Sequence, residues 1–293
     1  MLLRAPVAED DVAVIALLEA REIADFGAPD YTLEDLRDDW RNSDFDLSAD
    51  ALIIEDGGEL VAYAEVRRQG TLAVVSPRHE GRGVGAQLLA WTEGRQRERG
   101  EPYRQWVAAT NGRAERMLRD TGYELVRTYS RMVLKLDSHF EPPAPPAGVT
   151  LRTLDPRADA ASLHALDDVS FAGLRDSGPR TLAQFCEEHL HVHDLAPELS
   201  LIASREDGMA GFILTRAWES ERAGYIDILA VHPAHQGRGL GTFLLQTAFA
   251  RFAAAGLREA QLGVMSNNQN ALRMYERLGM CPRFRVHTYE RAG

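Results

Sequence analysis

Hydrophobic positions along the chain follow two alternating periods, and the alternation happens twice. An acidic, Ala/Leu-rich stretch at roughly 9–26 carries apolar residues at helical spacing, and the same pattern returns at roughly 157–172. Each predicts a helix. Shorter apolar runs then follow, Ala51–Ile54 with Leu60–Val66 and Leu199–Ala203 with Met209–Thr215. They are divided by Asp56-Gly57-Gly58 and Glu206-Asp207-Gly208, which predicts a β-hairpin in each case. A further strand ends in Ala73-Val74-Val75-Ser76-Pro77 and in Leu229-Ala230-Val231-His232-Pro233. A glycine run follows each strand and opens an amphipathic helix, the second with Leu244, Leu245, Ala248, Phe249 and Phe252 on one face.

The matching order is an internal duplication. Arg4 in Leu-Leu-Arg-Ala-Pro corresponds to Arg152 in Thr-Leu-Arg-Thr-Leu-Asp-Pro, and Glu80-Gly81-Arg82-Gly83-Val84-Gly85 to Gln236-Gly237-Arg238-Gly239-Leu240-Gly241. Later, Asn111, Ala114, Arg116, Met117 and Gly122 recur as Asn268, Ala271, Arg273, Met274 and Gly279. Between the copies, Pro142, Pro143, Pro145 and Pro146 fix φ and remove donors, so an extended spacer is expected at 139–148, between domains at 1–138 and 149–293.

Composition narrows the classes of function. The chain has 293 residues, 45% hydrophobic and 26% charged, which is ordinary for globular domains. No apolar run is long enough to cross a membrane and the first residues show no secretory h-region, so neither membrane contact nor export is expected and the protein is read as cytoplasmic. Cys186 and Cys281 are far apart with no CxxC spacing, which predicts buried thiols and no zinc site. Lys and Arg number 33 against 44 Asp and Glu, a net charge of −11 concentrated in acid near the N-terminus, and this argues against nucleic acid as a partner. The His189-Leu190-His191-Val192-His193 cluster is read as helix surface or substrate contact, and no metal is expected.

The glycine runs carry the chemistry. Glycine lets a backbone approach a ligand closely, and free N–H groups at a helix start favour a diphosphate. Gly81 to Ala86 formally fits a dinucleotide fingerprint, but Thr242 breaks that pattern in the second half, and the preceding hairpins argue against the parallel order it needs. No Lys-Ser/Thr pair follows either run, so a P-loop is excluded.

With Gln236 to Gly241, Asn268, Ala271, Tyr275 and Gly279, the second half resembles the GCN5-related N-acetyltransferase (GNAT) superfamily. The first half resembles it over a similar length, so the whole chain is similar to tandem acetyltransferases of the mycothiol synthase type. The resemblance implies an α/β fold of two tandem domains, each a mixed, largely antiparallel, splayed sheet flanked by helices. It implies acetyl-CoA as co-substrate, with the diphosphate on Gln236, Gly237, Arg238, Gly239, Leu240, Gly241 and Thr242, and pantetheine along the strand holding Leu229, Ala230 and Val231. Asn268 corresponds to a cofactor contact and is equally a helix N-cap. Tyr275 corresponds to the proton donor for the departing thiolate, against its alternative as a core aromatic.

The family often places a Glu where this chain has Tyr225. Asp227 lies two residues on, where strand period would put it on the same face, as a candidate proton acceptor or a structural carboxylate. Glu219 and Glu221 are read as solvated turn residues. In the first half Glu80 replaces Gln236 and Leu118 replaces Tyr275, so that half is expected to be catalytically silent. Val75, Arg82, Gly83, Val84, Gly85 and Asn111 remain there as a possible second CoA site. The expected activity is acetyl transfer to the primary amine of a small molecule. A non-catalytic acetyl-CoA sensor and a protein N-terminal or lysine acetyltransferase are the alternatives, and monomer against homodimer stays open.

Overall fold

The computed structural model describes residues 1–137, 140–172 and 180–292. In chain order the elements are β1 (Leu2–Arg4), α1 (Asp11–Phe26), α2 (Leu33–Arg41), α3 (Leu47–Asp50), β2 (Ala51–Asp56), β3 (Glu59–Arg67), β4 (Gly70–Val75), α4 (Val84–Arg99), β5 (Tyr103–Ala108), α5 (Gly112–Asp120) and β6 (Glu124–Lys135). The second series is β7 (Thr150–Thr153), α6 (Pro156–Ser170), α7 (Leu182–His189), β8 (Leu201–Arg205), β9 (Gly208–Trp218), β10 (Ala223–Val231), α8 (Leu240–Ala254), β11 (Glu259–Met265), α9 (Gln269–Arg277) and β12 (Cys281–Arg291). Contacts divide the chain into two compact units, Met1–Tyr129 with Phe284–Gly293, and Ser130–Arg283.

The first unit pairs β1 through β5 in chain order and continues onto β12, whose residues Val286 to Arg291 run antiparallel to Ala108 to Tyr103. The sequence places the close of the first domain at 138. Ser138 and His139, the end of that domain and the start of the spacer, lie outside the described residues. The contact division instead runs through β6 and β12. β5 would otherwise present an open edge, and the last strand satisfies those backbone groups.

The second unit pairs β7 through β10 antiparallel, then β10 with β11 parallel. α8 buries Leu244, Leu245, Ala248, Phe249 and Phe252 against Leu201, Ile213 and Ile226 on one face of this sheet. On the other face Leu163 and Leu166 of α6 and Phe185 of α7 pack on Ile202, Phe212 and Leu214. Each fully buried side chain of this size contributes about 1.5–3 kcal/mol relative to exposure.

The repeated arginines have the same task in both units. Arg4 grips Asp10 through two bonds of 2.7 and 2.8 Å, and Arg152 grips Asp159 through two of 2.6 and 2.5 Å. Each pair ties the opening strand to the start of the following helical segment, and its planar two-point geometry fixes the angle between them.

β10 lies close against α8 because it has no side chain at Gly224. A Cβ built there would lie 2.5 Å from the Phe252 ring. Gly224→Ala is expected to cost about 1–3 kcal/mol of stability through overpacking. Urea unfolding followed by circular dichroism measures this, and an unchanged midpoint would mean that the helix shifts freely on the sheet.

Candidate active site

Pairing between β10 and β11 runs from Ala223 opposite Glu259 to Ile226 opposite Leu262 and stops there. Both strands continue, β10 to Val231 and β11 to Met265, so they part and leave the β11-side edge of β10 open. At the same point β10 bulges: Ile226 pairs with Thr215 and Ile228 with Leu214, leaving Asp227 as the extra residue. The bulge shifts the alternation of faces. Ile228 and Ala230 join the core under α6 and α7, while Leu229 and Val231 lie on the α8 side with Ile226. The alternation is thus offset by one residue after Ile226, and the bulged Asp227 and Tyr225 both lie near the Arg216 guanidinium.

A cavity of about 910 Å³ occupies this opening. Its walls include Asp227, Leu229, Ala230 and Val231 from β10, Gln236, Gly237, Gly239, Leu240, Gly241 and Thr242 from the glycine run, and Asn268 and Tyr275 at α9. Arg238, between two lining glycines, is exposed and does not line it.

Gly239 is the N-cap of α8 at φ +81°, with no side chain bonded to the helix start, and Gly237 has φ +73°. These left-handed conformations suit glycine and leave the first N–H groups of α8 without a side-chain cap. Gly241 sits close to the Val231 side chain, 3.6 Å from a built Cβ, so the helix start presses on the end of β10. The Val231 carbonyl accepts hydrogen bonds from Gln236 Nε2 at 3.0 Å and Ser170 Oγ at 3.1 Å. Asn268 caps α9, its Oδ1 accepting from the Ala271 N–H at 3.2 Å.

Tyr275 is 8% exposed. Burial, with a smaller contribution from Tyr225, pushes its phenol above the ordinary value, so the group keeps its proton at neutral pH. Tyr225 stacks on Trp218 with ring centroids 4.7 Å apart and planes 11° from parallel, and the Arg131 guanidinium lies over Tyr225 at 4.7 Å.

Asp227 is the centre of an ionic cluster. Its Oδ2 receives His189 Nδ1 at 2.7 Å and lies 3.3 Å from Arg216 Nη2. Burial alone would raise the Asp227 carboxyl, but Arg216 and His189 overcome it and hold the group well below the usual carboxylate range. His189, the last residue of α7, also places Nε2 2.5 Å from Arg180 Nη1. Arg180 in turn bonds Glu188, and Asp167 at 3.0 Å. His191 and His193 lie beyond the helix end and off the cavity wall, and Glu219 and Glu221 are exposed in the turn before β10. Asp167, Arg180, Arg273 and Arg277 line the cavity without having been picked out from the sequence. Only the two arginines had a signal there, a four-residue spacing on the helix behind Asn268.

The first unit repeats the backbone plan. β4 and β5 pair at Thr71 opposite Gln105 and Leu72 opposite Trp106, then part before Val75. Gly83 caps α4 at φ +83°, Val84 is buried in the adjoining core, and Asn111 caps α5 through the Ala114 N–H at 3.1 Å. Arg82 is exposed, and Gly85 comes close to Met117, 3.4 Å from a built Cβ to its sulfur. Glu80, expected to repel a diphosphate, is paired with Arg21 at 2.5 Å and Arg113 at 3.4 Å, so its charge is compensated within the unit. A Cβ at Gly81 would meet the Arg113 guanidinium at 2.9 Å, which places that side chain against the loop itself. Leu118, where the second unit has Tyr275, is 2% exposed among Leu89, Tyr123 and Tyr289.

Residues 13–123 and 162–280 each match the model of the acetyltransferase (GNAT) family. Proteins named mycothiol acetyltransferase are similar: that of Thermobispora bispora is 31% identical, covering 92% of both chains, and that of Streptomyces scabiei 31% identical over 78% of this chain and 75% of its own. Among solved structures, a GCN5-related N-acetyltransferase from Sphaerobacter thermophilus matches with TM-score 0.82 and 28% identity over 100% of this chain and 96% of its own. A tandem GNAT protein from the clavulanic acid biosynthesis pathway has the same fold, with TM-score 0.75 and 17% identity over 98% of both chains.

Gly239→Glu combines a strained backbone with a carboxylate at the open helix start. It is expected to weaken CoA binding to the full chain at least about tenfold, or about 1.4 kcal/mol, by calorimetric titration. Equal affinity would remove the glycine run from the cofactor site.

Proposed function

The chain belongs to the acetyltransferase (GNAT) family and so is an acetyltransferase with an acyl-CoA donor; from that premise we propose that its second unit transfers acetyl from acetyl-CoA to the primary amine of a small molecule by direct attack. The observation that carries this reading is the buried, protonated phenol of Tyr275 on the wall of a cavity that opens where β10 and β11 part. A sensor of acetyl-CoA would need the cradle but no proton donor.

Acetyl-CoA would lie with its diphosphate on the N–H groups from Gln236 to Thr242 and its pantetheine along the open edge of β10 from Leu229 to Val231, with Asn268 beside it. A peptide N–H in that stretch would donate to the thioester oxygen as negative charge develops. The amine attacks the carbonyl carbon, a C–N bond forms, the C–S bond breaks and the sulfur takes the Tyr275 proton, while the proton shed by the new amide nitrogen returns through water to the Tyr275 phenolate. An ammonium has no lone pair, so the acceptor must shed a proton before it attacks.

The relatives named mycothiol acetyltransferase make a mycothiol-type amine a rational first acceptor to test, alongside amino sugars and alkyl amines. The likeness to those relatives favours a small acceptor over a protein. The first unit, with Leu118 in place of the tyrosine and Arg113 against its loop, is assigned no turnover.

Tyr275→Phe is expected to lower kcat by about 10- to 100-fold with little change in acetyl-CoA affinity, because the hydroxyl matters once charge reaches sulfur. Thiol release across an amine panel, with calorimetry of each protein, makes the comparison. Unchanged turnover would remove Tyr275 from the mechanism, and absence of acetyl transfer to any amine would return the chain to a sensing role.

A further inference from the structure

The acceptor end of the cavity holds a carboxylate whose two oxygens have different surroundings. Asp227 Oδ2 is engaged by both His189 and Arg216, whereas Oδ1 has no partner among the described residues and is not sealed from the cavity that Asp227 lines. The bulge pushes this residue out of the β9–β10 ladder. His189 is itself held, since its ring lies 5.2 Å from that of the fully buried Phe185. Its Nδ1 faces Asp227 and its Nε2 faces Arg180.

Arg180 and Arg216 face the carboxylates of Asp167, Glu188, Asp194 and Asp227. Arg273, Arg277 and His235 also line the cavity, and Arg131 lies over the Tyr225 ring.

Building on the acetyltransferase reading above, we propose that Asp227 binds the acceptor as an ammonium ion through Oδ1, and that His189 is a positioning residue that turns this oxygen into the cavity. Asp227 is thus an anchor and not the final proton acceptor. A carboxylate stabilised by a guanidinium and an imidazole N–H is a weak base, and the ammonium proton leaves through water before the lone pair attacks. The balance is one ammonium and one thioester giving one amide, one thiol and one proton to solvent. The substrate class is therefore an amine that is protonated when it arrives, and a neutral aromatic amine would gain nothing from the anchor.

The test uses the full chain with glucosamine, tyramine and cadaverine as acceptors at saturating acetyl-CoA, following thiol release with the best of the three. Asp227→Asn, which keeps the shape, is expected to raise KM for the amine at least about tenfold while kcat stays within about threefold and KM for acetyl-CoA is unchanged. A fall in kcat of about a hundredfold with KM preserved would make Asp227 the general base and overturn the proposal. His189→Leu should repeat the KM effect, whereas His189→Asn, whose amide can donate from near the Nδ1 position, should restore most of it. If both histidine variants match the parent, the positioning role falls. If the parent acetylates none of the three, the reading on which the proposal rests fails with it, and unaltered CoA binding in calorimetry would locate that failure at the acceptor.

Discussion

Where β10 stops pairing with β11, the second unit's sheet has a gap, and the candidate active site lies around it. Parallel pairing holds through Ile226 and Leu262. Beyond that, the edge of β10 must find other partners or face a ligand, since backbone donors and acceptors are costly to leave unmet. The bulge at Asp227 coincides with the gap, and the two together give the unit an open strand edge beside a displaced carboxylate. The glycine run follows a few residues later, and its helix start presses on the end of the same strand. The glycine run, the open edge and the displaced carboxylate thus meet at one interruption and line one cavity.

The parts of the site that are local in sequence could be read from it. Gln236 to Thr242, Asn268 and Tyr275 work through spacing within a turn or a single helix, and all of them except Arg238 reach the cavity wall. The hairpins and the duplication were legible for the same reason. The partners of Asp227 were not. His189 lies 38 positions away, and its contact depends on how α7 crosses the sheet. Uniform strand period could not show the bulge, because an inserted residue leaves no mark in an apolar run as short as Ile226-Asp227-Ile228. Arg180 and Asp167 come from separate elements with no shared motif, and their relation exists only in the folded unit.

Comparison of the halves separates what the fold needs from what the chemistry needs. Both units keep the arginine clamp on the opening strand, the left-handed glycine at the helix start and the asparagine cap. These are requirements of the backbone. The substitutions fall on side chains with no such duty. In the first unit Glu80 pairs with two arginines and Leu118 joins a core, so positions that line a cavity in the second copy make internal contacts in the first.

The exchange of β12 has a consequence for biosynthesis. Val286 to Arg291 supply the antiparallel neighbour of β5, yet in sequence they follow the whole of the second unit. As the polypeptide emerges from the ribosome, the first unit can bury most of its core early, but its sheet keeps an unsatisfied edge until these residues have been made. That edge is a template for another strand, including the same strand of a neighbouring nascent chain. Dividing the gene between the duplicated halves would leave the first product with this edge exposed, so the two copies, although each carries its own glycine run and asparagine cap, are no longer separable genetic modules.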